Sequence, residues 1–469
     1  MLMPDGTAPR NRFREMLERG TFVVLGEVNA PGRDLDKQVA GEKIAAFEQA
    51  ALAAEGLPTA LAVTEGGGNA DFYRSAEFAD VLTPENRDRH LFYLSGRNCP
   101  EDLVNELMDA AGTSGVLNWA AASGSSVPGE TARQLAGRRF TESTVILRAW
   151  RDRPDRDRLF CGATADPFQY SADALFSQYV KLMRKLRCGA QFVIAQSNWD
   201  MLKLQAMRWY LNGRGCFVPS LARLMFLTPE RVERILAGRF PGIVISAEFH
   251  AILNKELRFS RSQFEAAQWR RIELQAAGCR LLGYTGVQLA GLDKPEQLKL
   301  ASEKIAGALR EFPAFDGWLE AYNSYQARAE MAPFAGSFYL YDRGLNRMEP
   351  DRYPPEMRPP DPPETTSGER FRAALTRFCF PQADHQPAAS RRLLKRLVAG
   401  CPGHCAGCTL PQTMFVCARH CPKRLNGICG GVRPDGTCEI AGVGECVHVK
   451  IMRLARFYGR ERELEEFIP

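Results

Sequence analysis

This 469-residue chain has no run of roughly 18 apolar residues, so no helical membrane span is expected. Its opening, MLMPDGTAPRNRFREM, holds no apolar stretch of signal-peptide length. The expectation is a cytoplasmic protein in a reducing compartment, with no membrane partner. There is no internal repeat. No G-x-G-x-x-G follows the first candidate strand, which counts against a dinucleotide-binding, doubly wound sheet. Basic charge is also sparse: the net charge is only +6 and reads as spread out, as in RPDRDR and GRERELEE. In the cysteine region the only positives are the scattered Arg419, Lys423, Arg424 and Arg433. Nucleic acid is therefore not an expected partner. With 45% hydrophobic and 25% charged residues, the chain is ordinary for a globular protein of two or three domains.

What is abundant is cysteine, and at one end. Eight cysteines fall between 401 and 446: Cys401, Cys405, Cys408, Cys417, Cys421, Cys429, Cys438 and Cys446. The spacing opens as C-x3-C-x2-C and continues, after a gap of eight residues, as C-x3-C. Thiolates this close converge on a metal or cluster, and the Gly- and Pro-rich intervals bury little by themselves, so a metal would supply folding energy. Disulfides are the plain alternative, disfavoured by a reducing compartment. Four-thiolate sites serve zinc and iron–sulfur clusters alike, so metal identity stays open, as does one site or two.

Residues 1–330 alternate strand-like and helix-like stretches. Strand candidates are Phe22–Val28, Ala60–Thr64, Gly115–Trp119, Ser143–Leu147, Phe192–Gln196, Gly215–Pro219, Ile243–Ile245 and Leu281–Tyr284. Helix candidates between them include Asp34–Ala53, Pro100–Ala111, Ser171–Leu186, Trp199–Leu211, Pro229–Ala237, Ser262–Ala277 and Pro295–Glu311. Eight strands separated by helices predict an α/β fold, a (β/α)8 TIM barrel with its chemistry at the strand C-terminal ends. Residues 331–370 are expected to form a Pro-rich linker, its seven prolines between 350 and 363 making a stiff connector. Residues 371–469 then form a small cysteine-rich domain, with helices over Glu369–Phe378, Ala388–Val398 and Val447–Phe467.

Several polar residues close apolar strands. Glu27 ends FVVLGEV; partial desolvation at a barrel mouth would raise its pKa and suit it to general-acid work. A salt-bridged or capping glutamate is the plainer reading. Gln196 ends FVIAQ and offers both donor and acceptor to a heterocycle edge, or is simply structural. Thr64 precedes Glu65 and Gly66, Gly67 and Gly68, which admit a ligand backbone or just make a turn. Arg184 and Lys185 suit phosphates, although a solvated helix face is commoner.

Together these positions resemble methylenetetrahydrofolate reductase. Glu27-Val28-Asn29-Ala30-Pro31, Thr64-Glu65-Gly66-Gly67, GATADPF (Gly162–Phe168), and Arg184, Lys185, Gly189-Ala190, Gln196 and Asp200 follow the family's motifs in order. CPKRLNGICGGVRPDGTCE with the later CVH (Cys421–His448) resembles the cysteine domain fused to or associated with bacterial members. The resemblance implies a TIM barrel carrying FAD, which takes hydride from NAD(P)H and reduces 5,10-methylenetetrahydrofolate to 5-methyltetrahydrofolate. By the same likeness Glu27 is the acid and Gln196 the folate holder. Thr64 would bond the flavin, and Arg184 and Lys185 would lie near its phosphates. Where the family's loop carries Gly-Asp, this chain has Gly124-Ser125, and Tyr93 stands where a histidine is expected. Serine lacks the charge that tunes a flavin. A folate-binding methyl-transfer accessory protein, without flavin chemistry, is the alternative function. An electron-transfer partner or a second copy of the chain is an expected partner.

Overall fold

A computed structural model describes residues 10–66, 71–329, 337–341, 344–345, 356–358, 361–382, 389–401, 408–433 and 435–468. Gly67, Gly68, Cys405 and the prolines at 350, 354, 355, 359 and 360 lie outside the described residues.

Eight parallel strands close into one barrel, each paired with its neighbours in sequence and the last with the first. They are β1 (Val23–Asn29), β2 (Thr59–Thr64), β3 (Leu91–Ser95), β4 (Asn118–Ala122), β5 (Phe160–Ala165), β6 (Phe192–Ala195), β7 (Ser220–Met225) and β8 (Gly286–Ala290). The fold is the expected (β/α)8 TIM barrel followed by a C-terminal domain. Helices fill most crossovers, and Pro295–Glu311 matches its expected bounds.

The strand assignments need correction. Ser143–Leu147 belongs to a helix, Ser143–Arg151, whose Ile146, Leu147 and Trp150 bury one face at helical spacing. Its β-branched run suggested a strand, but the three- and four-residue spacing of the large apolar groups won. Ile243–Ile245 is not a strand. Gly215–Pro219 and Leu281–Tyr284 stop just short of β7 and β8. β3 and β5 were not expected at all. β5 reads FCGATA, too poor in bulky β-formers to stand out. Its Gly162 is needed, because a Cβ there would meet the Phe192 ring at 2.4 Å.

Alternation along the strands layers the barrel interior. The lower layers are apolar, with Val23, Leu25, Leu91, Leu221, Phe160, Phe192 and Ile194 in one cluster. Phe13, from the helix Arg12–Glu18, enters that cluster and meets the Phe160 and Phe192 rings edge-on at 6.1 and 5.7 Å. Two residues further along the same strands, the inward positions become Glu27, Tyr93, Arg223 and Gln196. The change from apolar plug to polar top layer places the site.

The C-terminal domain packs on the helix Ala172–Arg187, with Val180 in the cluster formed by Met414, Leu425, Ile451 and Met452. The expected linker is anchored at its start, since Leu340 and Tyr341 lie in the barrel core. Among the described residues no helix is long and apolar enough to cross a membrane.

Candidate functional site

Five strands deliver one hydrogen-bonded chain of side chains across the barrel mouth. The Tyr93 hydroxyl donates to Gln288 Oε1 (2.7 Å), and Gln288 Nε2 donates to Glu27 Oε2 (2.7 Å). Arg223 grips both Glu27 oxygens, Nε on Oε2 and Nη2 on Oε1, each at 2.6 Å. Its Nη1 also donates to Gln196 Oε1 (2.7 Å). Glu27 is buried, and its oxygens act wholly as acceptors. Held by Arg223 and Gln288, Glu27 orients and charges the site. Arg223 and Gln288 escaped the sequence reading. Their signal was present: a charge and an amide at alternating inward positions of SLARLM and GVQLA.

Above this layer lies a cavity of about 380 Å³, within the range of small-ligand sites. Glu27, Thr64, Gly124, Ser125, Lys185, Gln196 and Arg223 all line it. Arg184 does not. The Thr64 hydroxyl donates to Asn29 Oδ1 (2.6 Å), and Ser125 is tied by its carbonyl to Arg97 Nη1 (3.0 Å). Gly124 has φ +86°, and a Cβ on it would meet Arg97 N at 2.9 Å. Glycine is demanded here by both conformation and space.

Besides Glu27 and Glu65, another carboxyl lines the cavity. Asp166, from the loop after β5, accepts from Phe168 N (3.0 Å) and Gln169 Nε2 (2.8 Å). Burial raises it to about 6, against those bonds and the nearby Lys185 and Lys203. Burial, helped by Lys181, lowers Lys185 to about 7. Both groups can therefore exchange protons near neutrality. At the rim, Arg231, Arg234 and Arg239 complete a basic edge.

The roof comes from the C-terminal domain, through Ile428, Cys429 and Gly430. Lys181 Nζ donates to Ile428 O (2.6 Å) and Gln178 Nε2 to Cys429 O (3.0 Å). Arg184, expected near phosphates, lies outside the cavity lining. Its guanidinium is buried against Asn426 O (3.1 Å) and Leu464 O (3.0 Å from Nε), so it holds the domain instead. Lys185 Nζ donates to Thr164 O.

Behind Cys429 lies a second cavity, of about 120 Å³, lined by Cys421, Cys429, Cys438 and Cys446. Cys429 thus lines both cavities. Burial pushes the Cys421 thiol up to about 11, with Cys429 adding to the rise. The buried Lys423 ammonium lies 3.7 Å from the Cys429 sulfur and pairs with Glu439. Cys401, Cys408 and Cys417 pack separately with Ala399 and Leu410. Among the described residues no three His, Cys, Asp or Glu side chains are close enough to hold one metal ion.

The molecule is a TIM barrel whose polar mouth is roofed by a cysteine-rich domain. Residues 380–469 match the family model described as methylene-tetrahydrofolate reductase C terminal. No curated protein matches the chain. Among solved structures, similarity extends to an uncharacterized protein from Clostridium thermocellum that binds two copies of 5-methyl-5,6,7,8-tetrahydrofolic acid. That likeness has 11% identity and TM-score 0.46, over 63% of this chain and 99% of the other. An oxaloacetate acetylhydrolase bound to 3,3-difluorooxalacetate is similar at 12% identity and TM-score 0.34, over 68% and 95%.

Proposed function

We propose that the barrel binds a reduced folate at its mouth and acts in the interconversion of 5,10-methylenetetrahydrofolate and 5-methyltetrahydrofolate, a two-electron reduction whose hydride an external donor such as NAD(P)H would supply. The observation that carries this reading is the Glu27–Arg223–Gln196 constellation under a roof from the segment that matches the methylene-tetrahydrofolate reductase C-terminal model. A pterin edge carries adjacent donors and acceptors, which the Gln196 amide, the Glu27 carboxylate and the Arg223 fork would match. The folate's carboxylate tail would reach Arg231, Arg234 and Arg239 at the rim. Asp166, held near 6, is suited to give the proton that N10 takes when the methylene bridge opens.

FAD, which the sequence likeness implies, does not fit the place expected for its phosphates. Arg184 is spent on Asn426 and Leu464 carbonyls, and Ser125 offers no carboxylate. That observation favours a second reading, the folate-binding methyl-transfer protein without flavin. One experiment separates the two: an absorbance spectrum and metal analysis of anaerobically purified protein, followed by titration with 5-methyltetrahydrofolate. Flavin bands would restore the FAD-dependent reductase. Colourless protein, or iron absorption alone, with tight folate binding supports the second reading. No binding of 5-methyltetrahydrofolate defeats both.

The four cysteines of the second cavity fit a metal centre by their chemistry, since soft thiolates suit zinc or iron–sulfur clusters. Cys421, Cys429, Cys438 and Cys446 would hold it. Bound there, it would supply positive charge that ionises the buried thiols. Cys429→Ser is expected to lose bound metal and soluble yield together, read by elemental analysis. Unchanged metal content removes Cys429 from the ligand set.

A further inference from the structure

The positive charge of this chain is concentrated, not spread as the sequence reading expected. The helices Ser367–Cys379 and Ala389–Ala399 read SGERFRAALTRFC and ASRRLLKRLVA. Together they carry seven basic residues and one acidic, an excess equal to the net +6 of all 469 residues. The one acid, Glu369, is already paired with Lys450 (3.1 Å) and Arg453 (2.9 Å) of the last helix. Arg372 Nε donates to Val398 O (3.2 Å), which ties the two helices together.

Each helix is two-faced. Ala373 and Thr376 are buried on the first, Lys395 and Ala399 on the second. On the opposite side, Phe371, Leu375 and Phe378 recur at spacings of four and three, and Leu393 and Leu397 at four, so each set forms one stripe. Phe378 is 85% exposed, Phe371 69%, Leu397 68% and Leu393 61%. Side chains of this size present on the order of several hundred Å² of apolar surface, the scale at which a monomer's patch marks an interaction site. None of these five residues lines either cavity already described, so the patch is independent of the folate reading.

We infer that this helix pair docks a protein partner whose own surface carries an apolar patch ringed by carboxylates. Charge decides against a second copy, because two copies of this helix pair would set like charge against like, Arg377 and Arg396 being exposed on each. Six of the seven basic residues are arginines. The seventh, Lys395, is turned inward, 5.5 Å over the Phe380 ring. Arginine with exposed aromatics and little lysine is the composition of protein interfaces, and the guanidinium fork matches carboxylates two bonds at a time. Nucleic acid would leave the phenylalanine and leucine crests unpaired, while an acid-ringed apolar patch satisfies both.

The test uses the full-length protein and a synthetic amphipathic helical peptide with leucines on one face and glutamates flanking them. A lysine-flanked version is the control. The glutamate peptide is expected to bind and to weaken as salt rises from about 50 to 200 mM. Phe371→Ser/Phe378→Ser and Arg377→Glu/Arg396→Glu, all exposed positions, are each expected to weaken it about tenfold or more. Because these side chains are exposed, the variants should keep the wild-type melting temperature, which separates lost docking from lost folding. The inference is overturned if wild type does not bind, if the lysine peptide binds equally, or if the variants bind unchanged. Patch-dependent binding to phosphatidylglycerol vesicles, or patch-dependent self-association in sedimentation, would also overturn it by assigning the face to lipid or to a second copy.

Discussion

Replacing Arg223 with methionine is expected to destabilise the protein by about 3–5 kcal/mol, the usual cost of removing one partner of a buried ion pair. The reason is local. Glu27 is buried, and without the guanidinium it keeps only the Gln288 amide as a side-chain donor. The double variant Glu27→Gln/Arg223→Met should recover most of that loss, because it removes the stranded charge as well as the cation. Folate binding should stay weak in both, by about 100-fold, since two or more charge-assisted hydrogen bonds are lost. Chemical denaturation and 5-methyltetrahydrofolate titration read the two effects separately. If the double variant is no more stable than Arg223→Met, the pair is not the coupled unit described.

The second large effect is expected at the seam between barrel and C-terminal domain. Glu142 accepts from Asn426 N (3.0 Å) and pairs with Lys181 (2.8 Å), and both members of the ion pair are buried. Although burial works against its charge, Lys181 and Arg184 hold the Glu142 carboxyl at about 2. Glu142→Ala leaves two buried cations without their anion, for a loss of about 3–5 kcal/mol. Acid should do the same reversibly. A carboxyl lowered in the folded state stabilises it fully above the ordinary value and progressively less below. The contribution is therefore lost as pH falls from about 4.5 to about 2. Hydrogen exchange of the Asn426–Ile428 amides should report release of the roof in that window, and earlier in the variant. Protection that is equal in the two proteins down to pH 2 would show that Glu142 does not hold the seam.

The barrel was legible because alternating strands and helices have few architectures open to them, and eight strands have a natural closure. Individual strands were less so. A helix with a β-branched run mimicked a strand at Ser143–Leu147, and β5, built from small residues, left no hydrophobic signal. Glu27, Gln196 and Thr64 stood out because each breaks an apolar strand at its C-terminal end. Arg223 and Gln288 did the same in their own strands but lay beyond the expected strand bounds, Gly215–Pro219 and Leu281–Tyr284. A shift of a few residues was enough to hide both. Asp166 drew notice only as part of a motif, since its value to the site comes from burial.

Sequence by itself determined the kinds of groups available: a carboxylate and an amide at strand ends, eight clustered cysteines, a barrel and a tail. It also set the amphipathic spacing of Phe371, Leu375 and Phe378. Only the tertiary structure decided how those groups are spent. It closed Glu27 onto Arg223, turned Arg184 from an expected phosphate ligand into a clamp on Asn426 and Leu464, and set Cys429 in the wall shared by both cavities. The physical reason is that a charge inside a fold takes its role from the partner that replaces water. Those partners lie some 200 to 280 residues away in the chain, where no local pattern can register them.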